Sequence, residues 1–176
     1  MTETLRSAMD PLARCGRFLV VTHRKPDGDA FGTALALVWT LRANGKEADC
    51  LLCGEIPLKY REFADGYRTE MTREELTGYD CIVVVDTARV PMIETGALPP
   101  EALWDRPVLN IDHHPDNSIN GTWNCVLPET AASAEAVWLL TEALHWTVPQ
   151  HAATLFLIGL ITDTGGFRFA NTDAEA

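Results

Sequence analysis

The sequence contains no apolar run approaching the roughly 18 residues of a membrane span, so no membrane association is expected. Its first residues, MTETLRSAMDPLARCGR, lack the basic-then-apolar pattern of a secretory signal. Basic residues are scarce: 14 Lys and Arg face 25 Asp and Glu, for a formal net charge of −11. A groove that tracks a nucleic-acid backbone leans on Lys and Arg, so a partner made of long duplex is not expected. A short or small phosphorylated ligand stays open, and bound cations would neutralise part of the acid excess. Internal repeats, low-complexity tracts and Gly/Ser linkers are absent. No G-x-G-x-x-G follows the first apolar run, which sets a Rossmann-type dinucleotide enzyme low. Cysteine is odd in number, at five, in a chain long enough to fold without disulfide staples; a reducing cytoplasm is the simplest setting.

What is present fits one domain. The chain has 176 residues, 47% hydrophobic and 22% charged, an ordinary globular composition. Helices are expected over Thr2–Arg14, through Ala30, Ala34, Leu37, Val38 and Leu41 on one continuous face up to Asn44-Gly45, and over Ser133–Leu144 and Gln150–Thr162. Shorter ones are expected in Pro57–Ala64 and Thr72–Leu76. Strands are expected at Phe18–Thr22, Ala48–Leu52, Cys81–Val85, Pro107–Ile111 and Thr122–Val126. The stretch Thr154–Ile161 is apolar all round, so its period cannot separate strand from buried helix; its length and Pro149 favour helix. This alternation predicts an α/β fold, a mostly parallel β-sheet flanked by helices on both faces.

Ligands in such folds bind beyond the carboxyl ends of the strands. Residues His23, Asp27 and Asp29 follow the first strand, Asp86 follows Cys81–Val85, and Asp112-His113-His114 follows Pro107–Ile111; Asp163 closes the last apolar helix. Each has an ordinary reading when taken alone. Asp29 can cap the next helix, Pro26-Asp27-Gly28 can be a turn, His23 can be a hydrogen-bonded strand-end histidine, and Asp86 and Asp163 can be cap or turn residues. Independent caps and turns, however, have no reason to place every one of these residues at the same end of successive strands. So many carboxylates close together repel one another unless cations neutralise them. Imidazole mixed with carboxylate suits Mn²⁺, Fe²⁺, Co²⁺ or Zn²⁺ better than Ca²⁺, and the donors are too many for one tetrahedral ion. Two ions sharing a carboxylate suit in-line displacement at phosphorus by a metal-activated hydroxide.

With these residues in hand, the sequence resembles the DHH phosphoesterase family. The ordered motifs are His23-x-x-x-Asp27-x-Asp29, Asp86 in VVVDT, Asp112-His113-His114, and Asp163 in GLITDTGGFRF; the segment TAASAE, Thr130–Glu135, is also similar. The last motif makes the chain most similar to the branch acting on very short oligoribonucleotides and on 3′-phosphoadenosine 5′-phosphate, with relatives that degrade cyclic-dinucleotide products. The resemblance implies two divalent cations, Mn²⁺ first, with Mg²⁺, Co²⁺ or Fe²⁺ as alternatives. His23, Asp27 and Asp86 would hold one, and Asp29, Asp86, His113 and Asp163 the other. It assigns Asp112 a supporting hydrogen-bonding role in catalysis and gives His114 the scissile phosphate and the leaving oxygen. Arg168 is a candidate phosphate contact, with a solvated charge between Phe167 and Phe169 as the alternative. Residues 1–170 would form the catalytic DHH domain, and 171–176 the start of a connector to a substrate-binding C-terminal domain that this chain does not contain. The isolated chain would then turn over slowly, and a homodimer is compatible. The competing reading is a catalytically silent nucleotide- or metal-binding module.

Elsewhere the expectations are structural. Cys50-Leu-Leu-Cys53, Cys81 and Cys125 lie in apolar runs and suit core packing, as do Trp39 and Trp138 on their helices. His145 and His151 read as surface or cap residues, and Arg73-Glu74-Glu75 as a solvated helix face.

Overall fold

A computed structural model describes residues 2–53, 56–64 and 66–172. The elements in chain order are α1 (Glu3–Arg14), β1 (Arg17–Val21), α2 (Gly28–Ala43), β2 (Glu47–Leu51), β3 (Tyr67–Arg68), α3 (Arg73–Leu76), β4 (Cys81–Val85), β5 (Val108–Asp112), β6 (Trp123–Val126), α4 (Ser133–Ala143) and α5 (Gln150–Asp163). Tight 3₁₀ turns occupy Leu58–Phe63, Val90–Met92 and Pro100–Asp105. The six strands are ordered β3-β2-β1-β4-β5-β6, and all pair in parallel.

That order places the topological switch between β1 and β4, where the chain turns from building one wing of the sheet to building the other. Register then sets the site. Val21 lies opposite Val84, and Val85 opposite Ile111. Continued one or two residues further, the same register brings His23 level with Asp86, and Asp86 level with Asp112.

Alternation along the strands sends Phe18, Val20, Val83 and Val85 to one face and Leu19, Val21, Ile82 and Val84 to the other. The two faces are covered unequally. The first packs under the long helices, whereas the second is closed by α3, the Pro100–Asp105 turn and the side chains of Met71, Tyr79, Leu98 and Ile119. Helix α2 is buried on nearly its whole circumference, more than the one face its period suggested, because α5 packs over the side that the sheet leaves open. Two glycines permit this approach. A Cβ on Gly32 would stand 2.4 Å from the Leu155 carbonyl oxygen, and one on Gly159 would stand 2.7 Å from Oδ1 of Asp29.

The outer side of α5 stays open: Leu157 and Ile161 are exposed. Trp138 was expected in the core but is 38% exposed on α4, because that helix turns its side toward the same open groove; Trp39 does pack against the core. The strand β3 escapes sequence reading because it has only two residues. All five cysteines are free, and Cys50, Cys53, Cys81 and Cys125 are buried as expected. His145 and His151 are exposed. Of the expected connector, residues 173–176 lie outside the described residues. Among the described residues no helix is long and apolar enough to cross a membrane.

Candidate metal centre

Five elements, β1, α2, β4, β5 and α5, and the loops between them deliver the acids and imidazoles to the carboxyl edge of the sheet. Asp27 is the N-cap of α2, its Oδ1 accepting from the amides of Asp29 and Ala30 at 3.0 Å each. The cap is thus Asp27, and Asp29, one of the cap candidates from sequence, is released for a different role. Its side chain is fully buried. Oδ1 accepts from Thr33 Oγ1 at 2.9 Å and from the Ala134 amide at 3.0 Å, and Oδ2 accepts from the Ser133 amide at 2.6 Å. Asp29 therefore serves the free amides of α4, whose own N-cap, Ala132, has no side-chain acceptor.

Asp86 leaves β4 with φ of 49°, a left-handed backbone that few residues other than Gly, Asn and Asp adopt readily. The turn aims its carboxylate into the space between three imidazoles. Oδ2 lies 3.7 Å from Nε2 of His23; Oδ1 lies 3.7 Å from Nε2 of His113 and 3.8 Å from Nδ1 of His114. Asp163, the last residue of α5, places Oδ2 3.2 Å from Nε2 of His113. A carboxylate at a helix C-terminus opposes the helix dipole, so this position gains from a cation.

The imidazoles are oriented from behind. Nδ1 of His23 bonds the Arg24 carbonyl at 2.8 Å, and Nδ1 of His113 faces the Thr130 carbonyl at 3.4 Å. Both rings thereby turn Nε2 inward as the free ligand atom, the arrangement that orients metal-bound histidines. His114 is held at the same nitrogen, but by a carboxylate rather than a backbone carbonyl. Its Nδ1 donates to Asp112 Oδ1 at 2.8 Å, and its side chain is 42% exposed at the rim. Asp112 is fully buried and also accepts from the His113 amide and from Asn117 Nδ2.

The electrostatics follow from this crowding. Burial, together with the neighbouring Asp86 and Asp163 carboxylates, pushes the Asp29 carboxyl well above its ordinary value. For His23 and His113 burial works against the charged ring, but the surrounding carboxylates win and raise both to about 9. The hydrogen bond to Asp112 is the main cause that raises His114. Burial alone would raise Asp112, yet the bonds from His114 and Asn117 hold it below the usual carboxylate range.

The donor set fits divalent metal. Three groups have ligand atoms within 4.8 Å of one another: His23 with Asp27 and Asp86; Asp29 with His113 and Asp163; and Asp86 with His113 and His114. Nε2 of His113 is buried and, although 3.2 Å from Oδ2 of Asp163, makes no well-directed hydrogen bond, a cost that a metal–nitrogen bond removes. All six residues expected to bind metal are brought together, and Asp112 and His114 lie beside them. Arg168 is not brought to the cluster: its Nε donates to the Gly165 carbonyl in its own turn. Sequence reading assigned no role to Ser133, Asn117 or the Thr130 carbonyl; the only signal was the small-residue segment Thr130–Glu135, which contains Ser133 and Thr130.

The family model described as "DHH family, N-terminal domain" matches residues 17–160. The bifunctional oligoribonuclease and PAP phosphatase NrnA of Thermus thermophilus is 36% identical over 162 residues, covering 91% of this chain and 47% of that protein. The protein of the same name from Mycoplasma genitalium is 28% identical over 170 residues, 96% of this chain and 53% of the relative. The chain thus spans about half the length of the curated relatives it matches. Among solved structures, an exopolyphosphatase-related protein from Bacteroides fragilis superposes with a TM-score of 0.81 at 21% identity, over 99% of this chain and 55% of that one. Exonuclease RecJ bound to manganese gives 0.55 at 22% identity, over 93% and 44%. At these identities the structural likeness is one of fold.

Proposed function

Because the chain belongs to the DHH family, as its N-terminal domain, we propose that its cluster is the catalytic centre of a phosphoesterase that works with two divalent cations, Mn²⁺ foremost. His23, Asp27 and Asp86 would hold one, and Asp29, Asp86, His113 and Asp163 the other. The substrates proposed are short oligoribonucleotides and 3′-phosphoadenosine 5′-phosphate, following the names of the relatives. The observation that carries the reading is the position of Asp86, whose two oxygens face His23 on one side and His113 on the other.

When bound, the cations supply charge for the phosphoryl oxygens and an acidified water. The chain's own residues do the rest. Asp112 holds Nδ1–H of His114, which fixes the tautomer and turns Nε2 toward the open rim, where a substrate phosphate would arrive. A protonated His114 then donates from Nε2 to the leaving oxygen, a proton transfer that Asp112 makes easier to hold ready. The five free thiols accord with a cytoplasmic setting. The test is turnover of a short oligoribonucleotide and of 3′-phosphoadenosine 5′-phosphate in Mn²⁺ by the natural full-length protein and by Asp86→Ala. Turnover that falls at least about 10³-fold is expected; equal turnover overturns the proposal.

A further inference from the structure

Resting on the dimetal reading above, we propose that Ser133 is the positioning residue of the bridging carboxylate, fixing which oxygen of Asp86 faces each cation. Ser133 opens α4 and is fully buried. Its Oγ lies 2.9 Å from Oδ1 of Asp86 and 3.5 Å from Oδ1 of Asp112. A serine has one hydroxyl proton, and two carboxylates face it. The shorter contact takes it, and Asp112 Oδ1 is already served by the His113 amide and by Nδ1 of His114. The proton therefore goes to Asp86.

Ser133 is also nearer to that carboxylate than any of the three imidazoles, which stand 3.7 to 3.8 Å away. A carboxylate oxygen has two lone pairs, so Oδ1 can accept from Ser133 and still bind a cation. With Oδ1 pinned on the His113 side, Oδ2 is left to the His23 side. The same residue acts on the second site through its backbone, because its amide bonds Oδ2 of Asp29. One residue thus sets a ligand of each group, and it does so at the positive end of α4.

The experiment is Mn²⁺ titration calorimetry and electron paramagnetic resonance on the wild type and on Ser133→Ala, with circular dichroism of the metal-free proteins as the folding control. The wild type is expected to bind two equivalents and give the exchange-coupled signal of a carboxylate-bridged pair. In Ser133→Ala the weaker equivalent should lose roughly 10–100-fold in affinity, and the spectrum should shift to uncoupled Mn²⁺ at equal loading. Ser133→Thr restores the hydroxyl and should recover the coupling. Unchanged affinity and coupling in a folded Ser133→Ala overturn the role of Ser133 while leaving the dimetal reading standing. A wild type that binds no Mn²⁺ overturns the dimetal reading itself. A crystal structure of the Mn²⁺-loaded wild type applies the same test without a variant: Ser133 Oγ should be within hydrogen-bond distance of Asp86, and an Oγ turned away contradicts the proposal.

Discussion

At the amino ends of β1 and β4, Asp80 accepts from the amides of Gly16 and Arg17 at 2.9 Å each, and these bonds hold its carboxyl below the ordinary value. Nearby, Lys46 bonds the carbonyls of Ala13 and Cys15, and Arg17 lies 3.6 Å from Glu47. At the carboxyl ends of the same strands, Asp29 is pushed the other way, and His23 and His113 rise to about 9 because they are the nearest available positive charge. One edge of the sheet neutralises its own charge, while the other collects carboxylates and leaves Nε2 of His113 without a well-directed hydrogen bond. Stability explains the first edge. The second costs stability in the metal-free chain, and such a cost makes physical sense where a cation is to be bound.

The contrast can be broken most forcefully with one alanine at each edge. Asp86→Ala should lower turnover of the full-length protein at least about 10³-fold and remove Mn²⁺ binding. Asp80→Ala should leave both unchanged, as read by product release and calorimetry. Next in size is His114→Ala, expected to lose about 10²–10³-fold in turnover while still binding Mn²⁺ with near-native affinity. Loss of metal binding in that variant would move His114 from the proton-transfer role to the ligand set.

Proton linkage separates the two edges as well. The folded values of His23 and His113, about 9, stand above the ordinary 6.5. Their contribution is fully present below pH 6.5 and is lost as pH rises through about 9. The share of Asp29, also raised, is lost as pH climbs above its ordinary 3.8 toward its folded value. The metal-free protein should therefore lose on the order of 2–3 kcal/mol for each of the two rings between pH 6.5 and 9 in denaturant titrations. With saturating Mn²⁺ the trend should reverse, because cations and protons compete for the same atoms. A metal-free protein whose stability is flat over this window would contradict the picture. The smallest effect belongs to the quiet edge: Asp80→Ala should cost about 1 kcal/mol, since its bonds are exposed to water.

Much of this was legible in sequence, for identifiable reasons. Strands β1, β4 and β5 are largely apolar runs that lead directly into His23, Asp86 and Asp112, and the parallel alternation fixes which sheet edge those residues share. The burial of α2 on all sides was not legible, because it depends on α5 crossing it at Gly32 and Gly159, far apart in sequence. The same limit hid the true role of Asp29. Local spacing makes it a helix-cap candidate and Asp27 a turn residue, whereas Asp27 is the cap and a bond to Ser133, 104 residues away, shows that Asp29 serves α4 instead. Trp138 failed in the opposite way: a large apolar residue on a helix reads as core, yet α4 and α5 leave a groove open beside it.

The central expectation is a cation on each side of Asp86. Anomalous diffraction at the manganese edge from crystals soaked in Mn²⁺ tests this directly. Two peaks per chain are expected, one bounded by His23 and Asp27, the other by Asp29, His113 and Asp163, with the Asp86 carboxylate between them. No peak at the carboxyl edge, or peaks that leave Asp86 uncoordinated, would contradict it.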